Sequence, residues 1–204
     1  MTSWLMPLTP AEDVSGASLQ DKIRDLIARV VPLDAVEDEH RRQALAWLDS
    51  TDDVFRRIKP RTPSPHLVSY FLLIDHDGDG VLLADHLKAG LWLPSGGHVE
   101  PGEHPVSAVR REAREELGID AVFSPVTGES PLFVTVTETA PVADRHTDVS
   151  LWFVLSCGRD QPLVPDRREF REVRWWTRAD IARDDPALFG PHLSRALAKF
   201  GKAG

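Results

Sequence analysis

The stretch of this sequence that carries the most chemistry is residues 96–119, where a glycine-rich turn leads into a dense run of charge, GGHVEPGEHPVSAVRREAREELGI. On a helix, Glu112, Glu115 and Glu116 would hold their carboxylates close together, and like charges at such spacing repel one another. Two interpretations follow. The run is either a solvated helix face with Arg–Glu pairs, or a site for a hard divalent cation that prefers carboxylate oxygens.

The loop before these glutamates favours the cation site. Gly96, Gly97 and Gly102 carry no side chains, so their backbone carbonyls can approach a ligand closely. Glu103 adds another carboxylate where the helix would begin. A metal ion bound there would relieve the repulsion among the glutamates, and Mg²⁺ in particular combines carboxylates, water and substrate phosphates.

The helix that must position the glutamates is predicted from Pro105 to Leu117. Proline is tolerated in the first turn of a helix, and Gly118 can end the helix in a left-handed conformation. The glutamates are expected on a different face from the buried apolar stripe, which consists of Val106, Val109, Ala113 and Leu117.

The residues from Gly97 to Ile119 resemble the Nudix box in full. Five residues separate Gly97 from Glu103, and seven more precede the run REAREELGI. Ala113 is a mild departure, because a larger aliphatic residue is more usual at its position. The stretches KAGLWLPSGGHVEPGE and EVRWW are also similar to the family, so the resemblance covers about residues 64–185.

This resemblance implies an α/β fold, a Nudix-type α/β/α sandwich around a mixed sheet, here with a helical N-terminal extension. It also implies hydrolysis, dependent on Mg²⁺ or Mn²⁺, of a nucleoside diphosphate linked to another group. The metal ligands that it implies are the backbone carbonyl of Gly97 and the carboxylates of Glu112, Glu115 and Glu116.

The remaining catalytic roles also follow from the resemblance. Arg111 would hold one of the carboxylates in place, and Glu103 would support the site structurally. The general base varies in the family. Glu115 and Glu116 are two options, and the third is a glutamate in a late loop, for which Glu169 is the candidate and Glu172 the alternative.

The substrate is expected to be a small nucleotide. Lys88, Arg145 and His146 are candidates for binding its phosphates or sugar. A nucleoside triphosphate cleaved to release pyrophosphate is favoured, because the signatures of dinucleoside polyphosphate, coenzyme A and NADH hydrolases are missing. The alternatives are an ADP-sugar pyrophosphatase and a nucleotide sensor without activity. The intact box favours an enzyme.

Composition narrows the class of partner. The chain has 204 residues and a formal net charge of -8, which disfavours binding to a nucleic-acid polymer. Its single cysteine, Cys157, cannot form an intrachain disulfide, and an apolar context favours a buried strand position. The sequence shows no signal peptide and no apolar run long enough for a membrane span, so a cytoplasmic location and no membrane partner are expected.

Two regions are predicted along the chain. Residues 1–62 are expected to form a loose arm, two helices, a short turn over residues 54–58 and most of a Pro-rich linker, KPRTPSP, which spans residues 59–65. Residues 63–204 are expected to form the hydrolase domain, with a hairpin turn at HDGDG, further strands and a C-terminal helix. The N-terminal helices are expected to cap a sheet edge or mediate homodimerisation rather than to act in catalysis.

Overall fold

The computed structural model describes residues 17–59, 62–139 and 145–203, so the predicted arm over residues 1–16 lies outside the described residues. Both N-terminal helices are present. Each is preceded by an N-cap residue whose side chain accepts a hydrogen bond from the backbone of the first turn. These residues are Ser18, which forms a capping box, and Asp34. The helices are α1 (Leu19–Ala28), α2 (Ala35–Ser50), α3 (Pro105–Leu117), α4 (Arg178–Arg183) and α5 (Leu193–Ala203).

A mixed sheet forms the middle of the molecule. Its strands are β1 (His66–Asp75), β2 (Gly80–His86), β3 (Leu91–Leu93), β4 (Ser95–His98), β5 (Phe133–Glu138), β6 (Thr147–Cys157) and β7 (Phe170–Thr177). Their order in the sheet is β3-β2-β1-β6-β5, while β4 pairs with β1 and β7 pairs with β2. The pairing of β1 with β6 is parallel, and that of β1 with β2 and β4 is antiparallel.

The two faces of the sheet are covered by different helices. Side chains alternate between the faces along a strand, so Phe153 and Trp152 of β6 enter separate hydrophobic clusters. The first cluster contains apolar residues of α1, α2 and α3, and the second contains those of α4 and α5. This confirms the α/β/α sandwich. Cys157 is buried at the end of β6, as predicted.

The predicted third helical turn, over residues 54–58, is wrong. The Asp53 side chain accepts a hydrogen bond from Phe55 N, which competes with helix formation. Val54 O accepts from Leu67 N, and Ile58 pairs with Thr62. The backbone groups of this segment therefore bind the entry to β1 instead of one another.

The helix α2 lies along the edge strand β5. Glu37 of α2 is fully buried, and its carboxylate accepts hydrogen bonds from Leu33 N at 2.6 Å and Val134 N at 3.4 Å. Lys199 of α5 donates to the same carboxylate at 2.6 Å. The extension thus covers a sheet edge, as one of the two predictions for it required, and the domain boundary at residue 62 stays a prediction.

The hairpin of β1 and β2 is confirmed. Asp75 O accepts from Gly78 N, and the Asp75 side chain accepts from Asp79 N, each at 3.0 Å, which closes the turn. Arg159 also donates to the Asp75 carboxylate, at 2.6 Å. Among the residues that the structure describes, no helix is both long and apolar enough to cross a membrane.

Candidate active site

The helix α3 has the bounds and the buried face that its sequence predicts. His104 precedes it and accepts a hydrogen bond from Val106 N, with Pro105 in the first turn. Gly118 ends it at φ 69°, a left-handed conformation that costs glycine little. All four residues of the predicted apolar stripe are buried: Val106, Val109, Ala113 and Leu117.

The strand β4 approaches α3 closely at two glycines, of which Gly96 is required by the backbone and Gly97 lies against a glutamate side chain. A Cβ atom on Gly97 would lie 2.3 Å from Oε1 of Glu112. Gly96 has a φ of 136°, and its N–H donates to Oε2 of Glu116 at 2.8 Å. A Cβ atom on Gly96 would also lie 2.2 Å from the carbonyl oxygen of Ser69. The glycine-rich loop therefore places the backbone of β4 directly against the glutamates of α3.

Glu112 and Glu116 are buried beside each other, one turn apart on α3. Burial raises the pKa of Glu116 to about 9, and the negative charges of Glu112 and Glu169 add to the effect. Burial also raises the pKa of Glu112, against the lowering effect of Arg111. Burial and mutual repulsion disfavour the charged form of these two carboxylates. A bound cation would offset both effects, so the pair suits a cation site.

Arg111 connects the acidic residues around the helix. Its guanidinium donates to both oxygens of Glu103, at 3.0 and 2.9 Å, and to Glu112 at 2.6 Å. It also reaches Glu115 at 3.2 Å and the carbonyl oxygen of His98 at 3.0 Å. The hydrogen bonds that Arg111 donates to Glu103 and then to Glu112 raise the pKa of Arg111, so it stays charged. Glu115, in contrast, has a largely exposed side chain.

We predict that Arg111→Lys weakens the apparent affinity for Mg²⁺ by roughly 10–100-fold, the usual effect of losing a group that orients a metal ligand. Lysine keeps the charge but cannot hold Glu103 and Glu112 in a planar fork. The measurement is turnover as a function of Mg²⁺ concentration. Arg110→Lys is the matched control, because Arg110 contacts Glu129 and Phe123 away from this pair. Equal Mg²⁺ dependence in both variants would contradict the prediction.

A late loop brings Glu169 to the glutamate pair. The loop is hydrogen-bonded to the end of α3, since Val164 N donates to Leu117 O at 2.8 Å and Asp166 N to Glu116 O at 2.9 Å. The charge of Glu169 contributes to the raised pKa values of Glu112 and Glu116. Glu172, the alternative candidate, is an exposed residue of β7.

The candidate substrate residues lie in two places. Lys88 is exposed in the turn after β2. Burial lowers the pKa of His86, the charge of Glu169 raises it and the charge of Lys88 lowers it, so Glu169 and Lys88 both lie near His86. Arg145 is exposed before β6 and is 3.7 Å from Glu138. His146 is nearly buried and stands 3.4 Å from Asp148.

Sequence reasoning missed a second polar cluster next to β4. It consists of His66 of β1, His98 of β4, Asp148 of β6, and His146, which directly precedes β6. Burial, then Arg56 and the neighbouring histidines, lowers the pKa of His98 to about 2, so that this ring is neutral. No local spacing could have revealed the group, because the register of β1 with β4 and β6 assembles it.

Arg56 was also missed. It precedes β1 in the N-terminal region, and burial lowers the pKa of its guanidinium. The pKa of Arg56 is raised in turn by the charges of three carboxylates, Asp148, Glu100 and Glu112. Arg56 therefore lies within electrostatic range of both the glutamates of α3 and the cluster that contains Asp148. The N-terminal region thus contributes a cation near the site.

Comparison with known proteins identifies related chains. A family model described as NUDIX domain matches residues 64–198. The nucleoside triphosphatase NudI of Escherichia coli (strain K12 / DH10B) is 31% identical over 117 residues, covering 55% of this chain and 83% of NudI. NudI of Escherichia fergusonii is 30% identical over the same coverage.

Solved structures share the fold. A NUDIX family hydrolase from Clostridium perfringens has a TM-score of 0.53 at 22% identity, covering 68% of this chain and 95% of that one. The E. coli dihydroneopterin triphosphate pyrophosphohydrolase has a TM-score of 0.52 at 21% identity, covering 74% and 100%. The NUDIX domain of Shewanella oneidensis NrtR, complexed with ADP ribose, has a TM-score of 0.52 at 17% identity, covering 67% and 86%.

Proposed function

The chain belongs to the NUDIX domain family and is a pyrophosphohydrolase of diphosphate linkages in nucleotides, and from this premise we propose that it cleaves a nucleoside triphosphate with the help of Mg²⁺ or Mn²⁺. Water would attack the triphosphate to give a nucleoside monophosphate and pyrophosphate. The observation that carries the proposal is the buried pair Glu112 and Glu116 with its raised pKa values. The similarity to NudI, named a nucleoside triphosphatase, supports this substrate class.

The metal would be held by Glu112, Glu115, Glu116 and the backbone carbonyl of Gly97. The absence of a side chain at Gly97 fits this role, because a Cβ atom there would collide with Oε1 of Glu112. Oxygen donors alone make up this set, as Mg²⁺ and Mn²⁺ prefer. When bound, the ion supplies positive charge to the phosphate oxygens and lowers the pKa of water.

The remaining residues position groups and move a proton. Arg111 keeps Glu103, Glu112 and Glu115 in place through its guanidinium. Glu169 would accept the proton of the attacking water, since it is an exposed carboxylate within electrostatic range of Glu112 and Glu116.

Cations around the site would bind the phosphates. Lys88 lies near Glu169, and Arg56 lies within electrostatic range of Glu112. Arg145, shortly before β6, is a further candidate for the more distant part of the nucleotide. Positive side chains suit this task because they neutralise phosphate charge and orient the chain of phosphates for attack.

Two alternative functions must be distinguished by experiment. An ADP-sugar pyrophosphatase would also use the glutamates, and one structural neighbour is complexed with ADP ribose. A nucleotide sensor would bind without cleavage. The intact set of Glu103, Arg111, Glu112, Glu115 and Glu116 supports the enzyme, because a sensor has no need of a complete hydrolytic set.

The experiment is a screen of the purified full chain with nucleoside triphosphates and ADP-sugars, with Mg²⁺, with Mn²⁺ and with EDTA. We expect a nucleoside monophosphate and pyrophosphate from a triphosphate, and no turnover in EDTA. Release of a sugar phosphate and AMP would identify the ADP-sugar alternative. Binding without product would identify the sensor, and cleavage undiminished by EDTA would contradict metal dependence. A cytoplasmic enzyme without a nucleic-acid partner stays our expectation.

A further inference from the structure

The cluster of His66, His98, His146 and Asp148 converges on one carboxylate oxygen. The Nε2 atoms of the three histidines lie 3.1, 3.9 and 3.4 Å from Oδ1 of Asp148. The Nε2 atoms of His66 and His98 are 3.0 Å apart. All four potential ligand atoms fit within 4.8 Å of one another. Such convergence of ring nitrogens and a carboxylate is the arrangement expected around a small cation.

The hydrogen bonds of the cluster leave a buried carboxylate oxygen without a donor. Nδ1 of His66 is 2.6 Å from the carbonyl oxygen of Pro63, which can only accept, so this nitrogen carries a hydrogen. In the neutral ring, Nε2 of His66 therefore presents a lone pair. Oδ1 of Asp148 is buried and makes no hydrogen bond among the described residues, although the ring nitrogens lie near it.

These contacts match those of histidines that bind metal ions. Metal-ligating histidines usually donate the other ring N–H to a carbonyl or similar acceptor, which fixes the ring and leaves Nε2 for the ion. His66 does so to Pro63, and Nδ1 of His146 lies 3.0 Å from the hydroxyl of Thr139. The structure pairs the lone pair of His66 with Nε2 of His98, and a positive ion between the rings would replace that hydrogen bond and give Oδ1 of Asp148 the partner it lacks.

We propose that His66, His98, His146 and Asp148 form a closed structural site for Zn²⁺, separate from the glutamates of α3. Tetrahedral zinc with bonds of about 2.0–2.1 Å places its ligand atoms roughly 3.3–3.4 Å apart. Of the six separations among the ligand atoms, four are 3.0, 3.1, 3.4 and 3.9 Å and scatter around that value, and none exceeds 4.8 Å. Three imidazoles and one carboxylate suit zinc, whereas Mg²⁺ prefers oxygen ligands only.

The site would join three strands next to Gly97, whose carbonyl oxygen is a proposed ligand of the catalytic metal. His66 begins β1, His98 ends β4 and Asp148 lies in β6, so one ion would connect strands far apart in sequence. His98 directly follows Gly97, and its carbonyl oxygen accepts from Arg111. Four protein ligands leave no open position for a substrate. The ion would therefore stabilise β4 and engage the ring of His146, which would then be unavailable to bind a substrate.

The first test uses the full parental chain and needs no variant. After exhaustive dialysis in buffer containing Mg²⁺, elemental analysis is expected to find one Zn²⁺ per chain. Replacing it with Co²⁺ should produce the visible absorption of tetrahedral cobalt, and excess Mg²⁺ should not abolish that absorption. A chain that retains no zinc and shows no tetrahedral cobalt spectrum would overturn the proposal.

Variants then locate the ion. Asp148→Asn and His98→Gln are each expected to weaken zinc binding at least about 100-fold, since even groups that only orient a ligand cost 10–100-fold. His76→Gln is the matched control, because His76 is exposed in the β1–β2 turn. Glu116→Gln should also keep its zinc, which separates this site from that of the proposed hydrolase. Zinc competition with a chelator gives the affinities, and parental affinity in Asp148→Asn would overturn the assignment.

Discussion

Glu116→Gln is expected to lower hydrolysis by roughly 10³-fold or more, because a divalent ion contributes several kcal/mol of charge stabilisation and ~4 kcal/mol corresponds to 10³ in rate. The amide is nearly the same size and can still accept the hydrogen bond of Gly96 N through its oxygen. It brings no negative charge to the ion. The loss should therefore appear without disruption of β4 or α3.

The same substitution should make the metal-free protein more stable. The folded-state pKa of Glu116 is raised to about 9, well above its value of about 4.3 in an unfolded chain. The folded state then binds more protons than the unfolded state, so stability is greatest below the unfolded pKa and is lost as the pH rises towards 9. At pH 7 the gain from glutamine is on the order of 1–3 kcal/mol, or several degrees in melting temperature.

Glu115→Gln provides the contrast. Its side chain is largely exposed, so we expect a loss of turnover with little change in metal-free stability. Thermal melts in EDTA from pH 5 to 9, together with initial rates in Mg²⁺, measure both quantities. If both variants hydrolyse nucleotides at the parental rate, the assignment of the metal ligands is wrong. If Glu116→Gln melts at the same temperature as the parental protein at every pH from 5 to 9, only the burial argument is contradicted.

Glu169→Gln is expected to reduce kcat by roughly 10²–10⁴-fold, the range typical of a lost general base. Because Glu169 is proposed to accept a proton rather than to bind the ion, KM and the Mg²⁺ dependence should change much less than kcat. The loop should keep its position, since Glu169 is held by its backbone, whose carbonyl accepts from Leu87 N at 2.9 Å.

Glu172→Gln is the matched control for this loop. Glu172 is an exposed glutamate three positions later, in β7, and its loss should leave kcat within a factor of about two, as for most surface changes of a few tenths of a kcal/mol. Steady-state kinetics over pH 6–9 separates the two variants. A large drop in Glu172→Gln with a parental rate in Glu169→Gln would exchange their roles. Parental rates in both would return the base to Glu115 or Glu116.

The part of the molecule that the sequence predicted well is contiguous in the chain. Pro105, the apolar stripe and Gly118 define α3 locally, and the same few residues carry the glutamates. The paired strands of the hairpin were likewise readable from two apolar runs separated by an Asp-Gly turn. In such segments, the residues that determine the local structure are close to one another in the sequence.

The part that could not be predicted depends on register between distant segments. His66 and Asp148 are paired across β1 and β6, and His98 reaches them only because β4 folds back on β1. Arg56 comes near the glutamates through a segment whose backbone bonds to the start of β1, where a helical turn was expected. A single histidine or arginine in a sequence carries no sign of these partners.

The contact of Glu37 with β5 has a consequence for anyone shortening this chain. A protein trimmed to residues 64–198, the extent of the family match, would lack both Glu37 and its partner Lys199. The N–H of Val134 and the apolar side chains beneath α1 and α2 would then meet water. An uncovered strand at the border of a sheet recruits strands from other molecules. The trimmed protein would thus tend to aggregate even though every glutamate of α3 remained.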